Sequence, residues 1–448
     1  MERGGHRSSP IPSPQGGGEL RCALVVLPAE GFDAGRLLRS LGAAIAAGLG
    51  DLAEVVPLDA ARAGPMPKAL APVAAMASRA GFDWLLAVSA AETLVPDIFV
   101  KTAPALRLHD AVWGGAALVS DTSVPPKVER ITRLAAQDLP TFFHAALRWW
   151  IGPTHFVRPA LAVEAARAAA QASGGYADYL AFLWRNHRAY KTAQALTFFQ
   201  HEVPPVAETD LRRLVDILER EPVFMPICYG ASTYRLPYTG LNPVIEREQM
   251  RGLFFEHEEL DFLAGRLPRR LRIVDVGANT GNHTIFFAGP MQAERVIPIE
   301  PVPRAVTALR AAVAGNRFAN VDLSRVGVAV GAAEGRLRPI ASVTAGLGAT
   351  HFAADTAGEV RLVTLDGLLD GRVDFMKLDV EGMEMEALSG AAGLIAAQRP
   401  VLYVEVLDTA IGRFMAWVDE HEYRIERLFP DKTHCNYFLI PAERPLEP

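Results

Sequence analysis

The stretch Leu271-Arg272-Ile273-Val274-Asp275-Val276-Gly277-Ala278-Asn279-Thr280-Gly281-Asn282-His283 reads as a buried strand that breaks into a glycine turn and then opens a helix, HTIFFAG. An apolar run bounded by such a turn fits a strand of a parallel sheet covered on both faces. Gly277 and Gly281 allow backbone conformations and close ligand approach that a side chain would block. A dinucleotide site prefers G-x-G-x-x-G. Here Asn279 and Asn282 stand at the second and third glycine places, which disfavours a pyrophosphate cradle. A ligand without phosphates, such as S-adenosylmethionine, needs the close approach but less space. The next strand, RVIPIEP, ends in Glu300-Pro301, and Glu300 follows Asp275 by 25 residues. That spacing suits an acid at a strand tip accepting hydrogen bonds from both hydroxyls of a ribose.

A second constellation lies downstream in Asp374-Phe375-Met376-Lys377-Leu378-Asp379-Val380-Glu381-Gly382-Met383-Glu384. A buried strand ends in two carboxylates around a valine, then a glycine, then a helix. Ligands of open α/β sheets sit beyond the carboxyl ends of the strands, so Asp379 and Glu381 are expected to face the pocket. Glu384 falls in the first helical turn, where the macrodipole alone favours an acid. The following strand, LYVEVL, carries Glu405 among apolar neighbours. A buried carboxylate needs a partner, and Lys377 or a ligand would serve.

These motifs together resemble the FkbM family of S-adenosylmethionine-dependent methyltransferases. The resemblance is carried by IVDVGANTGNHTIFFA, IEPVPRAVTALRAAV, VTLDGL, FMKLDVEGMEMEALSGA and RPVLYVEV, with GLFFEHEELDFL as the approach to the glycine turn. It covers about Asn242 to Pro441. It implies a class I Rossmann-like fold with a seven-stranded, mostly parallel sheet, S-adenosylmethionine as cofactor, and O-methylation of a hydroxyl, often on a sugar. On that pattern Asp275, Gly277, Ala278, Asn279, Gly281, Asn282, Glu300 and Pro301 are the donor-binding candidates. The acceptor pocket is not set by these motifs.

A sugar hydroxyl is a poor nucleophile, so a base or a metal is expected to assist. Asp379, Glu381 and His283 are the catalytic candidates. His283 stands at a helix N-terminus, where a positive charge is disfavoured; packing or capping is its alternative role. Asp379 with Glu405 is a conceivable oxygen pair for a divalent cation, and the metal requirement stays open.

Upstream of this region the chain reads differently. Residues 1–19 are rich in Gly, Pro and Ser and read as a disordered tail. Residues 20–157 alternate strand and helix, CALVVLP to DWLLAV, as in a parallel α/β domain. Phe82 to Asp97, FDWLLAVSAAETLVPD, resembles the nucleotide-sugar strand of a family 2 glycosyltransferase of the A-type fold. The acidic pair of that family is replaced by Ser89 and Ala91, and only Glu92 remains. A hydroxyl and a methyl cannot replace two carboxylates on a hard cation. Residues 158–221 have helical apolar spacing through Phe199 and read as a helical connector. Residues 222–448 form the methyltransferase-like domain.

Composition limits the rest. The chain has 448 residues, 50% hydrophobic and 21% charged, so it holds about three domain-sized pieces and is not disordered overall. A net charge of −6 argues against broad attraction to nucleic acid. Three scattered cysteines make no disulfide framework, and no apolar run is long enough to span a bilayer. A cytoplasmic protein acting on a glycan, glycolipid or other hydroxyl-bearing acceptor is expected, with the oligomeric state open. The competing expectations are a bifunctional glycosyltransferase and methyltransferase, and a non-catalytic glycan-binding assembly protein.

Overall fold

A computed structural model describes residues 20–29, 32, 34–58, 66–119, 128–131, 136–137, 141–142, 154–172, 175–199, 208–340, 347 and 352–443. The expected tail at 1–19 lies outside them. The chain divides into two compact units, Met1–Leu214 and Val215–Pro448. Among the described residues no helix is long and apolar enough to cross a membrane. The three cysteines are unpaired.

The first unit is built on strands β1 (Leu20–Leu27), β2 (Leu52–Pro57), β3 (Trp84–Ser89), β4 (Thr93–Leu94), β5 (Ala111–Val119), β6 (Val128–Ile131), β7 (His155–Val157) and β8 (Ala189–Phe199). Their order is β2-β1-β3-β7-β5-β8-β4, with β6 paired to β5. β1 lies parallel to both β2 and β3, the arrangement that alternating strands and helices require. Helix Gly35–Ala47 buries Leu37, Leu41 and Ala44, one helical face. Every residue of β3 is buried. Glu92, just beyond β3, is 1% exposed and accepts a hydrogen bond from the Thr154 hydroxyl. Burial raises its carboxyl to about 7.

The helical connector expected at 158–221 is not what forms. The helix Tyr176–Asn186 stops at His187, whose backbone is extended, and Ala189–Phe199 is a strand. It pairs in parallel with β5, from Ala111↔Ala189 to Leu118↔Phe199. Ala, Lys, Gln and Leu in this segment favour a helix locally, but the edge of β5 supplies a ladder of backbone hydrogen bonds, and the sheet wins. Helix Pro159–Ala172 packs on helix Met66–Arg79 of the same unit. The division between units falls inside helix Glu208–Arg220.

The second unit opens with an antiparallel hairpin, β9 (Val223–Tyr229) and β10 (Ser232–Tyr238). Ten strands follow: β11 (Arg272–Val276), β12 (Arg295–Ile299), β13 (Val328–Val330), β14 (Gly335–Pro339), β15 (Phe352–Ala354), β16 (Val360–Val363), β17 (Phe375–Leu378), β18 (Val401–Leu407), β19 (Tyr423–Pro430) and β20 (His434–Pro441). Among the described residues the main sheet has six strands where seven were expected, in the order β12-β11-β17-β18-β20-β19. Its first four are parallel, and β20 runs antiparallel to both of its neighbours, β18 and β19. The run Val321–Val330 reaches this sheet only through a bridge, Val321 parallel to Val296 of β12. Asp322 turns it by accepting the Ser324 N–H at 3.0 Å, and Val328–Val330 pairs with β16 in a separate four-stranded sheet. The helix expected after Gly382 forms as two, Glu384–Ser389 and Ala392–Gln398. At the split, Gly390 lies so near the Gly331 carbonyl that a Cβ would come within 2.1 Å of it.

Register decides what the main sheet presents. Asp275, Lys377, Tyr403 and Phe438 are neighbours in one row across β11, β17, β18 and β20. Side chains alternate between faces along a strand, so this row shares a face. Glu405 and Asn436, two residues further along β18 and β20, are also opposite each other. A polar row therefore crosses one face of a sheet whose other face holds Val274, Val276, Met376, Leu378, Leu402 and Val404 in the core.

Candidate active site

At the carboxyl ends of β11, β12 and β17 a cleft opens. Gly277, Asn279, Glu300, Pro301, Asp379 and Glu381 line it, with Val328, Phe352 and Met383 among its apolar walls. Sequence reasoning named the six polar and turn residues. It missed the apolar walls, which come from β13, β15 and the loop after β17, where no motif marks them.

The glycine turn is tied down from below. The N–H groups of Gly277 and Ala278 both donate to the Ile299 carbonyl, at 2.9 and 3.1 Å. Gly277 has φ +77°, and a Cβ there would lie 1.7 Å from the Asp379 carbonyl oxygen. The turn and the acidic loop after β17 are thus in backbone contact. Lys377 ties them a second time. Its ammonium is 2% exposed and donates to Asp379 Oδ2 at 3.0 Å and to the Gly277 carbonyl at 3.2 Å. It also stands 3.7 Å from Asp275 Oδ1. Burial alone would lower its pKa, but Asp379 and Asp275 more than offset this and keep it charged.

Glu300 is 5% exposed. Its two oxygens accept the N–H groups of Asn279 and Val302, each at 2.8 Å. Burial outweighs those bonds and raises the carboxyl to about 7. Glu381, in the left-handed region at φ +53°, is also raised to about 7, by burial and by the charges of Asp379 and Glu384. Glu384 is turned inward and accepts the Gly382 N–H at 2.8 Å, as a helix-start acid does.

The remaining candidates lie behind the cleft. Asp275 is fully buried and accepts the Thr284 hydroxyl at 2.5 Å. Ala278 is buried under the turn. Gly281, at φ +98°, faces Leu309. Asn282 bonds the backbone of Phe255 in both directions, at 3.0 Å each. His283 Nε2 lies 3.1 Å from Glu256 Oε2, away from the residues that line the cleft.

The ion pair between Glu405 and Lys377 does not form. Glu405 sits 3.4 Å from His434 Nε2 instead, and its carboxyl is pushed up by burial and by the negative charges of Asp379, Glu381 and Glu256. Near it Glu259 accepts hydrogen bonds from the Tyr403 hydroxyl and from Asn436 Nδ2, the latter at 3.0 Å. Glu256 and Glu259 lie in the approach segment GLFFEHEELDFL and His434 in no quoted motif, and none of the three was named as a site residue. Among the described residues no group of three or more His, Cys, Asp or Glu side chains is arranged to hold a metal ion.

With this geometry in place, the comparisons can be read. The family model described as the methyltransferase FkbM domain matches residues 275–425. Those residues are similar to a methyltransferase FkbM domain.

The matched stretch holds the glycine turn, Glu300, Lys377, Asp379, Glu381 and Glu405. The matching family model is that of a methyltransferase domain. No curated protein matches the chain. Among solved structures it is similar to the methyltransferase FkbM of Methylobacillus flagellatus KT, at 23% identity over 39% of this chain, with a TM-score of 0.30. The chain spans 44% of that protein. An rRNA methylase from Streptococcus thermophilus is similar at 14% identity over 42% of this chain and 96% of its own, TM-score 0.28. M. jannaschii TYW2 in complex with AdoMet is similar at 12% identity over 49% of this chain and 88% of its own, TM-score 0.27.

The FkbM domain's own residues fit the cofactor. A Cβ at residue 277 is excluded by the backbone of the Asp379 loop, and a buried carboxylate is presented at the tip of the second parallel strand.

Proposed function

We propose that this chain transfers the methyl group of S-adenosylmethionine to a hydroxyl, and that the acceptor is a sugar of a glycan or glycolipid. The observation that carries this reading is the placement of Asp379 and Glu381 on the same cleft as Gly277, Asn279 and Glu300. The first pair stands where an acceptor would enter, and the second group where a donor nucleoside would lie.

The cofactor supplies an activated methyl on a sulfonium. The protein then has to align an acceptor oxygen and remove its proton. In this reading Glu300 holds the ribose hydroxyls, and Gly277 and Asn279 give the backbone room for the donor. Glu381, with a carboxyl raised to about 7, is suited to take the proton at neutral pH. Asp379 is held by Lys377 and positions the loop. His283, paired with Glu256, serves the surrounding structure rather than the proton transfer.

Sugar transfer by the first unit is not part of this reading. Ser89 and Ala91 offer no carboxylate, and Glu92 is buried against Thr154. The test is incubation of the full chain with labelled donor and cell-envelope glycan fractions, followed by product mapping. Label on a glycan hydroxyl supports the proposal, and label only on protein or on a small metabolite overturns the acceptor class. Asp379→Asn and Glu381→Gln that bind donor and still transfer methyl at the full rate would remove the carboxylates from the mechanism.

A further inference from the structure

We infer that Asn242 and Gln249 are positioning residues of the donor site, bracing the glycine turn through its two asparagines. The inference rests on the donor reading above. Both residues lie outside the stretch 275–425 that the family match covers.

Asn279 is a non-glycine residue held at φ +48°. Such a conformation persists when its surroundings over-determine it. From within, its N–H donates to Glu300. From outside, its side-chain oxygen accepts Asn242 Nδ2 at 2.8 Å. Asn242 is 3% exposed, and its own oxygen accepts the N–H of Leu347 at 3.1 Å. Leu347 also lines the cleft. One buried amide therefore links two lining residues that are 68 positions apart (347 − 279).

Asn282, at the start of the next helix, is gripped in the same manner. Its side-chain oxygen accepts Gln249 Nε2 at 3.1 Å, and Gln249 is 1% exposed. Asn242 stands at the N-cap of one helix, Pro243–Met250, and Gln249 lies in its last turn. That helix is itself anchored. Glu246 is 2% exposed and accepts the N–H groups of Thr239 and Gly240, at 2.7 and 3.1 Å, and the Thr239 hydroxyl at 2.6 Å. The helix thus holds both ends of the turn from 279 to 282 through buried side-chain amides. A buried amide left without its partner costs more than the bond was worth, so the turn is sensitive to losing either brace.

The test is calorimetric binding of S-adenosylmethionine to the full chain and to Asn242→Ala, Gln249→Leu and the double variant. Each single variant is expected to weaken binding about 5- to 30-fold, the effect of one or two lost buried hydrogen bonds. Ile395→Ala, a core change at a residue that does not line the cleft, serves as the control for stability alone. Measured well below all thermal midpoints, it is expected to bind as the wild type does. Variants that fold and bind donor with unchanged affinity overturn the inference. So does Ile395→Ala if it weakens binding as much as the brace variants do. Hydrogen exchange on the wild type gives a readout that needs no variant. Donor is expected to slow exchange at Asn242–Met250 together with the turn at Gly277–His283, and protection confined to the turn overturns the brace. If the wild type binds no donor, the proposed function fails. If it binds and the variants bind equally, only this inference does.

Discussion

The carbonyl oxygen of Asp379 occupies the space in which a side chain on residue 277 would begin, 1.7 Å from a Cβ built on Gly277. The loop that carries Asp379 and Glu381 is therefore packed directly on the glycine turn. Gly277→Ala is expected to displace that loop and to cost at least about 2 kcal/mol, from the positive φ and the clash together. Denaturant unfolding and donor calorimetry check it. Wild-type values in both would show that the two loops separate without penalty.

Lys377 neutralises both Asp275 and Asp379 in a buried setting. Removing one partner of such a group leaves charge buried and unpaired, at a cost of about 3–5 kcal/mol. Lys377→Met is expected to lose stability on that scale. Adding Asp275→Asn is expected to recover part of it, a non-additivity that a double-mutant cycle reads directly.

Donor affinity is expected to depend on pH through Glu300. Its carboxyl is raised to about 7, chiefly by burial. Ribose hydroxyls bond better to the ionised form, so donor binding releases a proton. Affinity then rises as pH goes from 6 to 8 and levels off above. Glu381, raised to the same region, pulls in the same direction toward a cationic donor. Glu300→Gln is expected to bind about tenfold more weakly at pH 8 and to flatten most of the pH dependence. An unchanged profile in that variant would remove Glu300 from the donor site.

Stability of the donor-free chain is expected to move the other way. Glu259, raised to about 8 mainly by burial, and Glu405, raised by burial and by neighbouring acids, hold their protons more tightly folded than unfolded. Such groups contribute stability that is fully present below the ordinary carboxyl range. It is lost as pH rises through the folded values. The thermal midpoint of the second unit is expected to fall between pH 5 and pH 9. Glu405→Gln is expected to make that fall shallower, and an identical slope in the variant would refute this account.

The parts of the site that were legible in the sequence are those whose chemistry is local. Gly277, Glu300 and the Asp379–Glu381 box sit at strand ends within a few residues of a recognisable turn, and the structure brings all of them to one cleft. Residues recruited from a distance were not legible. Asn242 reaches the turn across 37 positions and Glu259 reaches Asn436 across 177, and no spacing rule connects such pairs. Asn279 and Asn282 were legible as departures from a glycine pattern, but only their partners show why asparagine stands there. In the fold, the strand and helix alternation of residues 20–89 was legible because period and length agree. Ala189–Phe199 was not, because local propensity pointed to a helix while the exposed edge of β5 favoured a strand.

That last strand governs how the molecule can be cut. β8 lies between β5 and β4, so a fragment ending near residue 157 would lack an interior strand of its sheet. The unpaired N–H and C=O groups of β5 would then offer a template for other chains, and aggregation rather than folding is the expected fate. A fragment of the first unit has to run past Phe199, toward Leu214, to carry a closed set of strands.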